Sequence, residues 1–161
     1  MSDHVDTVLE QWRRERPDLD SSPVAVIGRV SQLSRALEDR LDPVYEEHGL
    51  DAGLFDLLAT LRRQGPPYEL CPRDLAGATM LSSSGTTKRL DRLERAGLIT
   101  RRPDAADRRM IMIELTAAGR ELIDAAYPAH MANEDHLLAP LTKTERKQLA
   151  ALLKKLLAGL A

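Results

Sequence analysis

Aromatic residues are scarce in this chain: one Trp, one Phe and three Tyr make up 3% of 161 residues, although 43% are hydrophobic. A core this poor in rings and rich in Leu and Ala packs aliphatic helix faces, which excludes most β-sandwiches and barrels and predicts a mainly α fold. Cysteine is nearly absent as well. Cys71 alone cannot form an internal disulfide, and without a Cys/His cluster neither a structural zinc nor any other cofactor is expected. No apolar run approaches the roughly 18 residues of a membrane span, and the start MSDHVDTVLEQWRRE lacks the apolar core of a secretory signal. A cytoplasmic protein without a membrane partner is the expectation. His4, His48, His130 and His136 show no metal-ligand spacing and read as exposed helix residues. Ser82 to Gly85 is not a G-x-S-x-G elbow and has no His or Asp partners, so no catalytic residue emerges and the chain does not read as an enzyme.

A large excess of one charge is also missing, since the formal net charge is −2. The distribution is uneven, however. Between Arg73 and Arg109 nine basic residues face five acidic ones, so this segment carries +4 and the remainder −6. An acidic body with a basic central module suits a protein that docks one surface on phosphates.

The central module has a readable order of elements. Ahead of it, Val5, Val8, Leu9 and Trp12 mark a short amphipathic helix ending at Arg16-Pro17, and Ile27, Val30, Leu33, Leu37, Leu41 and Val44 form a longer seam for another helix. A third helix carries Leu54, Leu57, Leu58 and Leu61 and stops before Gly65-Pro66-Pro67. Tyr68 to Leu70 is extended. Pro72 suits a first helical position, and Asp74 can reach back to the free amides before it. After that short helix, Met80 to Gly85 is a turn opening a helix that Gly97 ends. Two short helices joined by a tight turn make a helix-turn-helix. Leu98 to Pro103 and Met110 to Leu115 then flank a polar tip, which reads as a β-hairpin wing. Thr116 caps a helix that Pro128 should bend or break. The last helix shows Leu149, Leu152, Leu153, Leu156, Leu157 and Leu160, a stripe larger than one small domain needs and fit for a partner chain.

At 100° per residue, Leu90, Leu93 and Thr86 share the buried side of the second short helix. Ser82, Ser83, Ser84, Thr86 and Thr87 bring small hydroxyls to its N-terminal end, within reach of base edges, and Lys88, Arg92 and Arg95 can neutralise phosphates. An ordinary solvated helix would show the same charges. It would not be followed by a basic hairpin. Arg108 and Arg109 at the hairpin tip can enter a minor groove, with Asp107 orienting the Arg109 guanidinium. Cys71 admits two readings, a helix cap or a thiolate oxidant sensor.

The run LSSSGTTKRLDRLERAGLITRRPDAADRRMIMIELTAAGREL resembles the recognition helix, wing and following helix of the MarR family of bacterial regulators, and the similarity extends from about Val5 to Leu160. It implies a winged helix-turn-helix with N- and C-terminal dimerisation helices: a single domain, 1–161, in which 1–50 and 117–161 form the dimerisation lobe and 51–116 the DNA-binding lobe. It further implies a homodimer on a pseudo-palindromic double-stranded DNA operator, usually as a repressor that releases DNA on binding a small effector. Within the family the chain is most similar to the urate-responsive, HucR/PecS-like branch. That resemblance, and not periodicity, assigns an anionic ligand such as urate or a related purine to Trp12, Asp56, Arg89 and Arg101. Periodicity alone would leave Asp56 solvated, opposite the leucine stripe of its helix. Two other readings remain: a thiol-based oxidant sensor of the same fold, and a winged-helix protein-interaction module without DNA binding.

Overall fold

The structure, a computed structural model, describes residues 2–80, 85–104 and 106–160. Among them the order is α1 (His4–Glu15), α2 (Val24–Glu46), α3 (Ala52–Arg63), β1 (Glu69–Leu70), α4 (Pro72–Ala78), α5 (Thr86–Arg95), β2 (Ile99–Pro103), β3 (Ile111–Leu115), α6 (Ala117–Leu137) and α7 (Lys143–Ala158). The mainly helical expectation, with a small β-wing, therefore holds. No described helix is long and apolar enough to cross a membrane. The chain forms two compact units, 1–43 and 44–161.

In the first unit, α1 starts at a reciprocal cap. The Asp3 carboxylate accepts the Asp6 N–H at 2.9 Å and the Asp6 carboxylate accepts the Asp3 N–H at 3.0 Å. Val5 and Leu9 are buried, and a Cβ on Gly28 would stand 3.4 Å from both Val5 methyls, so α1 lies close on α2. Arg29 of α2 holds both Asp3 and Asp6, its Nη2 lying 2.6 Å from the Asp6 carboxylate.

The second unit is built around α3, which contacts α4, α5, α6 and β3. Asp51 caps it through Oδ1, which accepts the Leu54 N–H at 2.9 Å. Its leucine stripe is buried as expected, and so is the opposite face, where the Met80 amide meets Asp56 and the Arg89 side chain lies against Gly53. Burial of Leu54, Leu58, Leu61, Leu75, Leu93 and Ile113 contributes about 1.5–3 kcal/mol each. The sheet has order β1-β3-β2, all antiparallel, with Ile99 opposite Leu115 and Arg102 opposite Met112. The third strand, Glu69–Leu70, pairs with Ile113 and Glu114; the sequence marked it as extended but offered no partner.

One expectation is narrowed here and another fails. Pro128 does not break α6, which is continuous from Ala117 to Leu137. Ile123, Ala126 and His130 bury one face on both sides of the proline, and that packing offsets the lost N–H. His130 is correspondingly buried rather than exposed. Its ring packs on Tyr45 and Phe55, with centroids 5.4 and 4.6 Å away. Its Nε2 lies 3.1 Å from Glu134, and its Nδ1 has no hydrogen-bond partner.

Candidate nucleic-acid interface and effector residues

α5 ends in a full Schellman turn. Gly97, at φ +70°, donates to the Glu94 carbonyl at 2.9 Å, and Leu98 to the Leu93 carbonyl at 3.0 Å. The reversal directs the chain from α5 straight into β2. Thr116 locks the far end of the hairpin to the same point: its N–H reaches the Leu98 carbonyl at 3.1 Å and its hydroxyl the Gly97 carbonyl at 2.8 Å. α5 and the β2–β3 hairpin thus leave one hydrogen-bonded knot.

On α5, Leu90 and Leu93 are buried and Thr86 half-buried, while Thr87, Lys88, Arg92 and Arg95 are exposed. Ser82, Ser83 and Ser84 lie outside the described residues. Arg92 Nη1 sits 2.8 Å from the second carboxylate oxygen of Asp51, the α3 cap. At the wing tip Arg108 and Arg109 are exposed. Asp107 does not orient the Arg109 guanidinium as expected; its Oδ1 accepts the Arg109 backbone N–H at 3.0 Å. Asp104 does the same for Ala106 and Asp107, at 2.7 and 2.8 Å. Short acidic side chains close local turns more readily than they reach a distal guanidinium, so the two acids shape the tip and leave its arginines facing solvent.

Wing and helix are joined by charge. Arg101 on β2 pairs with Asp91 at 2.7 Å and with Glu94, both on α5, and these partners hold its proton more firmly than usual, Asp91 most of all. Arg102 bridges Glu114 on β3 at 2.6 Å and Glu69 on β1, spanning all three strands.

The four residues named as effector ligands divide. Asp56 is 8% exposed: its Oδ2 accepts the Met80 backbone N–H at 2.8 Å, and Oδ1 is 3.5 Å from the Thr60 hydroxyl. Periodicity missed this because α3 is packed on both faces. Arg89 lies across the same part of α3, since a Cβ added to Gly53 would meet Arg89 Nε at 2.2 Å. Gly53 is one turn from Asp56, so both groups bear on one face of α3. Arg101 is not with them. Its partners Asp91 and Glu94 lie about 200° and 140° around α5 from Arg89, on the far side of that helix. Trp12 belongs to the first unit, where it is 49% exposed on α1.

Cys71 caps α4, its Sγ accepting the Asp74 N–H at 3.4 Å; the cap runs from Cys71 to Asp74 rather than from the Asp74 side chain backwards. Gly119 was passed over in the sequence. A Cβ there would stand 2.0 Å from the Leu98 carbonyl oxygen and 2.8 Å from a Leu115 methyl, so α6 reaches the base of the wing only without a side chain at this point. A lone glycine inside a helical pattern carries no warning of such an approach. Among the described residues no group of three His, Cys, Asp or Glu is placed to hold a metal ion.

The MarR family profile matches residues 50–111. The transcriptional regulator PecS of Dickeya dadantii is 44% identical over 149 residues, covering 92% of this chain and 90% of PecS. Among solved structures, Streptomyces coelicolor Sco3205 in complex with DNA superposes with a TM-score of 0.78 at 24% identity, a likeness of fold, over 88% of this chain and 89% of Sco3205. Bordetella bronchiseptica BpsR, whose regulation of DNA binding by 6-hydroxynicotinic acid is described with its structure, gives a TM-score of 0.65 at 26% identity over 80% of this chain and 98% of BpsR.

Proposed function

Because the chain belongs to the MarR family of transcriptional regulators, we propose that it is a homodimeric repressor that reads a pseudo-palindromic operator and releases it on binding a small anionic effector, urate or a related purine. Residues 51–116 serve as the DNA-reading lobe, and 1–50 with 117–161 as the dimerisation lobe. α5 enters the major groove, with hydroxyls from Ser82, Ser83, Ser84, Thr86 and Thr87 near base edges and Lys88, Arg92 and Arg95 on phosphates. Arg108 and Arg109 reach the adjacent minor groove from a tip shaped by Asp107. Successive half-sites then lie about 10–10.5 base pairs apart.

The observation that carries the effector reading is the pairing of Asp56 and Arg89 on one face of α3, each tied to the DNA-reading element: Asp56 through the Met80 amide, Arg89 because it is part of α5. An anion entering beside Asp56 meets a like charge and attracts the Arg89 guanidinium. Moving either one shifts α5. Arg101 carries that shift into the wing through Asp91 and Glu94, and Trp12 supplies an aromatic wall and an N–H donor. BpsR, a relative controlled by an aromatic anion, agrees with this mode of control. Binding of effector and release of DNA are then reciprocal.

The experiment is a gel shift on the chain's own upstream DNA with nonspecific competitor and a urate titration. Wild type is expected to bind and to be released. Arg89→Ala should lose the urate response. Gly53→Ala should lose it too while keeping the fold, because the added methyl displaces Arg89 without removing its charge. If urate, xanthine and hypoxanthine at millimolar levels change neither operator occupancy nor Trp12 emission, the effector assignment is wrong while the DNA-binding one stands.

A further inference from the structure

The β2–β3 hairpin outruns the body that supports it. Ile113 and Leu115 of β3 are buried, whereas Ile111, the next residue outward on the same face, is 41% exposed. Its partner in the sheet, Pro103 at the end of β2, is exposed as well. Met110 stands in the turn just outside the strand and is 45% exposed. Its backbone is held from both sides, the N–H donating to the Asp107 carbonyl at 2.9 Å and the carbonyl accepting the Asp104 N–H at 2.8 Å. A fixed main chain thus carries a long, unbranched apolar side chain into solvent, directly after the exposed Arg108 and Arg109. Contact with phosphates and groove-edge acceptors requires only the two arginines. Pro103, Met110 and Ile111 add apolar surface at the same end of the wing, and a contiguous exposed apolar patch marks a place where something is covered.

We propose that Met110 is a wedge: resting on the reading that places the wing in a minor groove, its side chain enters between two base pairs and opens their stack. Ile111 and Pro103 cover the adjoining sugars. Methionine is flexible and polarizable and has no charge to strip of water, which suits a slot between flat bases. Arg108 and Arg109 supply the charge that brings the tip to the groove. An inserted apolar side chain bends the duplex toward its major groove, by about 20° or more. That bend folds the major groove onto α5, and because α5 and the hairpin leave one hydrogen-bonded knot, helix and wedge engage together. A sequence preference follows that arginines alone do not produce. Arginine favours the narrow groove of an unbroken A-tract, which is stiff, whereas a wedge favours a pyrimidine–purine step such as TpA, which unstacks easily.

The test uses permanganate, which oxidises unstacked thymines, on the chain's own upstream DNA bound by the full-length protein. Hydroxyl-radical footprinting locates the flank that the wing covers, and two duplexes are compared, one with TpA at that place and one with an unbroken A-tract. Wild type at saturation is expected to make the TpA thymines hyperreactive and to bind that duplex about threefold or more tightly than the A-tract one. Met110→Ala, in protein shown by circular dichroism to be folded, should occupy both duplexes but lose the hyperreactivity and the TpA preference. Met110→Leu, which keeps an apolar side chain of similar volume, should retain both. Saturated wild-type complexes without a hyperreactive thymine, hyperreactivity that survives Met110→Ala, or tighter wild-type binding to the A-tract would each overturn the wedge while leaving DNA binding in place. Failure to occupy either duplex would overturn the wedge and the DNA-reading assignment together, so the two are told apart.

Discussion

Arg92, proposed above to hold a phosphate, is loosely tethered in the free protein. Its ion pair with Asp51 is 2.8 Å long, but both partners are more than half exposed, so the pair contributes only about 0–1 kcal/mol. A phosphate can displace Asp51 at little cost. Asp51 also caps α3 through its other oxygen, and asparagine would keep that cap while removing the charge. Asp51→Asn is therefore expected to tighten binding to all DNA sequences alike with little change in melting temperature. Arg92→Ala should weaken it alike and reduce the slope of log affinity against log salt by about one. A sequence-dependent effect of Arg92→Ala would place this residue on a base instead. The same distinction applies to Asp56, which periodicity assigned to solvent and the fold buries: its value lies in the Met80 amide it holds, not in its place on a stripe.

At the level of elements, the junction of α5, the wing and α6 is where packing tolerates least. Gly119 lets α6 approach the Leu98 carbonyl, and backbone cannot yield as a flexible side chain can. Gly119→Ala should cost about 1–3 kcal/mol despite alanine's better helix propensity, seen as a drop in Tm of several degrees. A neutral or stabilising result would mean that α6 is free to move off the wing. Much of this region was legible in the sequence because its signals are local: Gly97 after an amphipathic run, polar residues between two β-rich runs, Cys71 ahead of Pro72. What escaped depends on contacts distant in sequence. The turn from Arg101 to Asp91 and Glu94, the burial of His130 and the continuity of α6 through Pro128 are all decided by what packs alongside, and a pattern of 3.6 residues describes only one element at a time.

For the molecule as a whole, α7 is the most unfinished part. α7 begins at a reciprocal cap between Thr142 and Glu145, yet buries no residue, and Leu152 and Leu157 are about two-thirds exposed. A helix with so strong a start and so little interior is expected to complete its core on a second copy. Leu153→Glu with Leu156→Glu should yield monomers or unfolded chains in sedimentation velocity; a folded dimer of normal mass would remove α7 from the interface. The N-terminal unit has its own test. Arg29 holds the Asp3 carboxyl below the usual carboxylate range, and the Asp3 amide, then Arg29, does so for Asp6. Depressed carboxylates stabilise the fold above their unfolded value near 3.9 and lose that contribution as pH falls through the folded one. Acid titration should therefore release α1 from α2 below that value, reported by Trp12, the only tryptophan, and Arg29→Gln should move the transition toward higher pH. An unchanged midpoint would show that Val5 and Leu9 alone hold α1.

The strand order β1-β3-β2 bears on crowding. A regulator gathered at its operator is locally concentrated, and a wing is an exposed hairpin that invites pairing with its like. Here the middle strand has no free edge. One border is only two residues long, and the other presents Arg101 and Arg102 and ends at Pro103, which has no N–H to give. Charge, shortness and a missing donor keep such a border from templating another strand, so the wing can be projected from the protein surface without becoming a seed for aggregation.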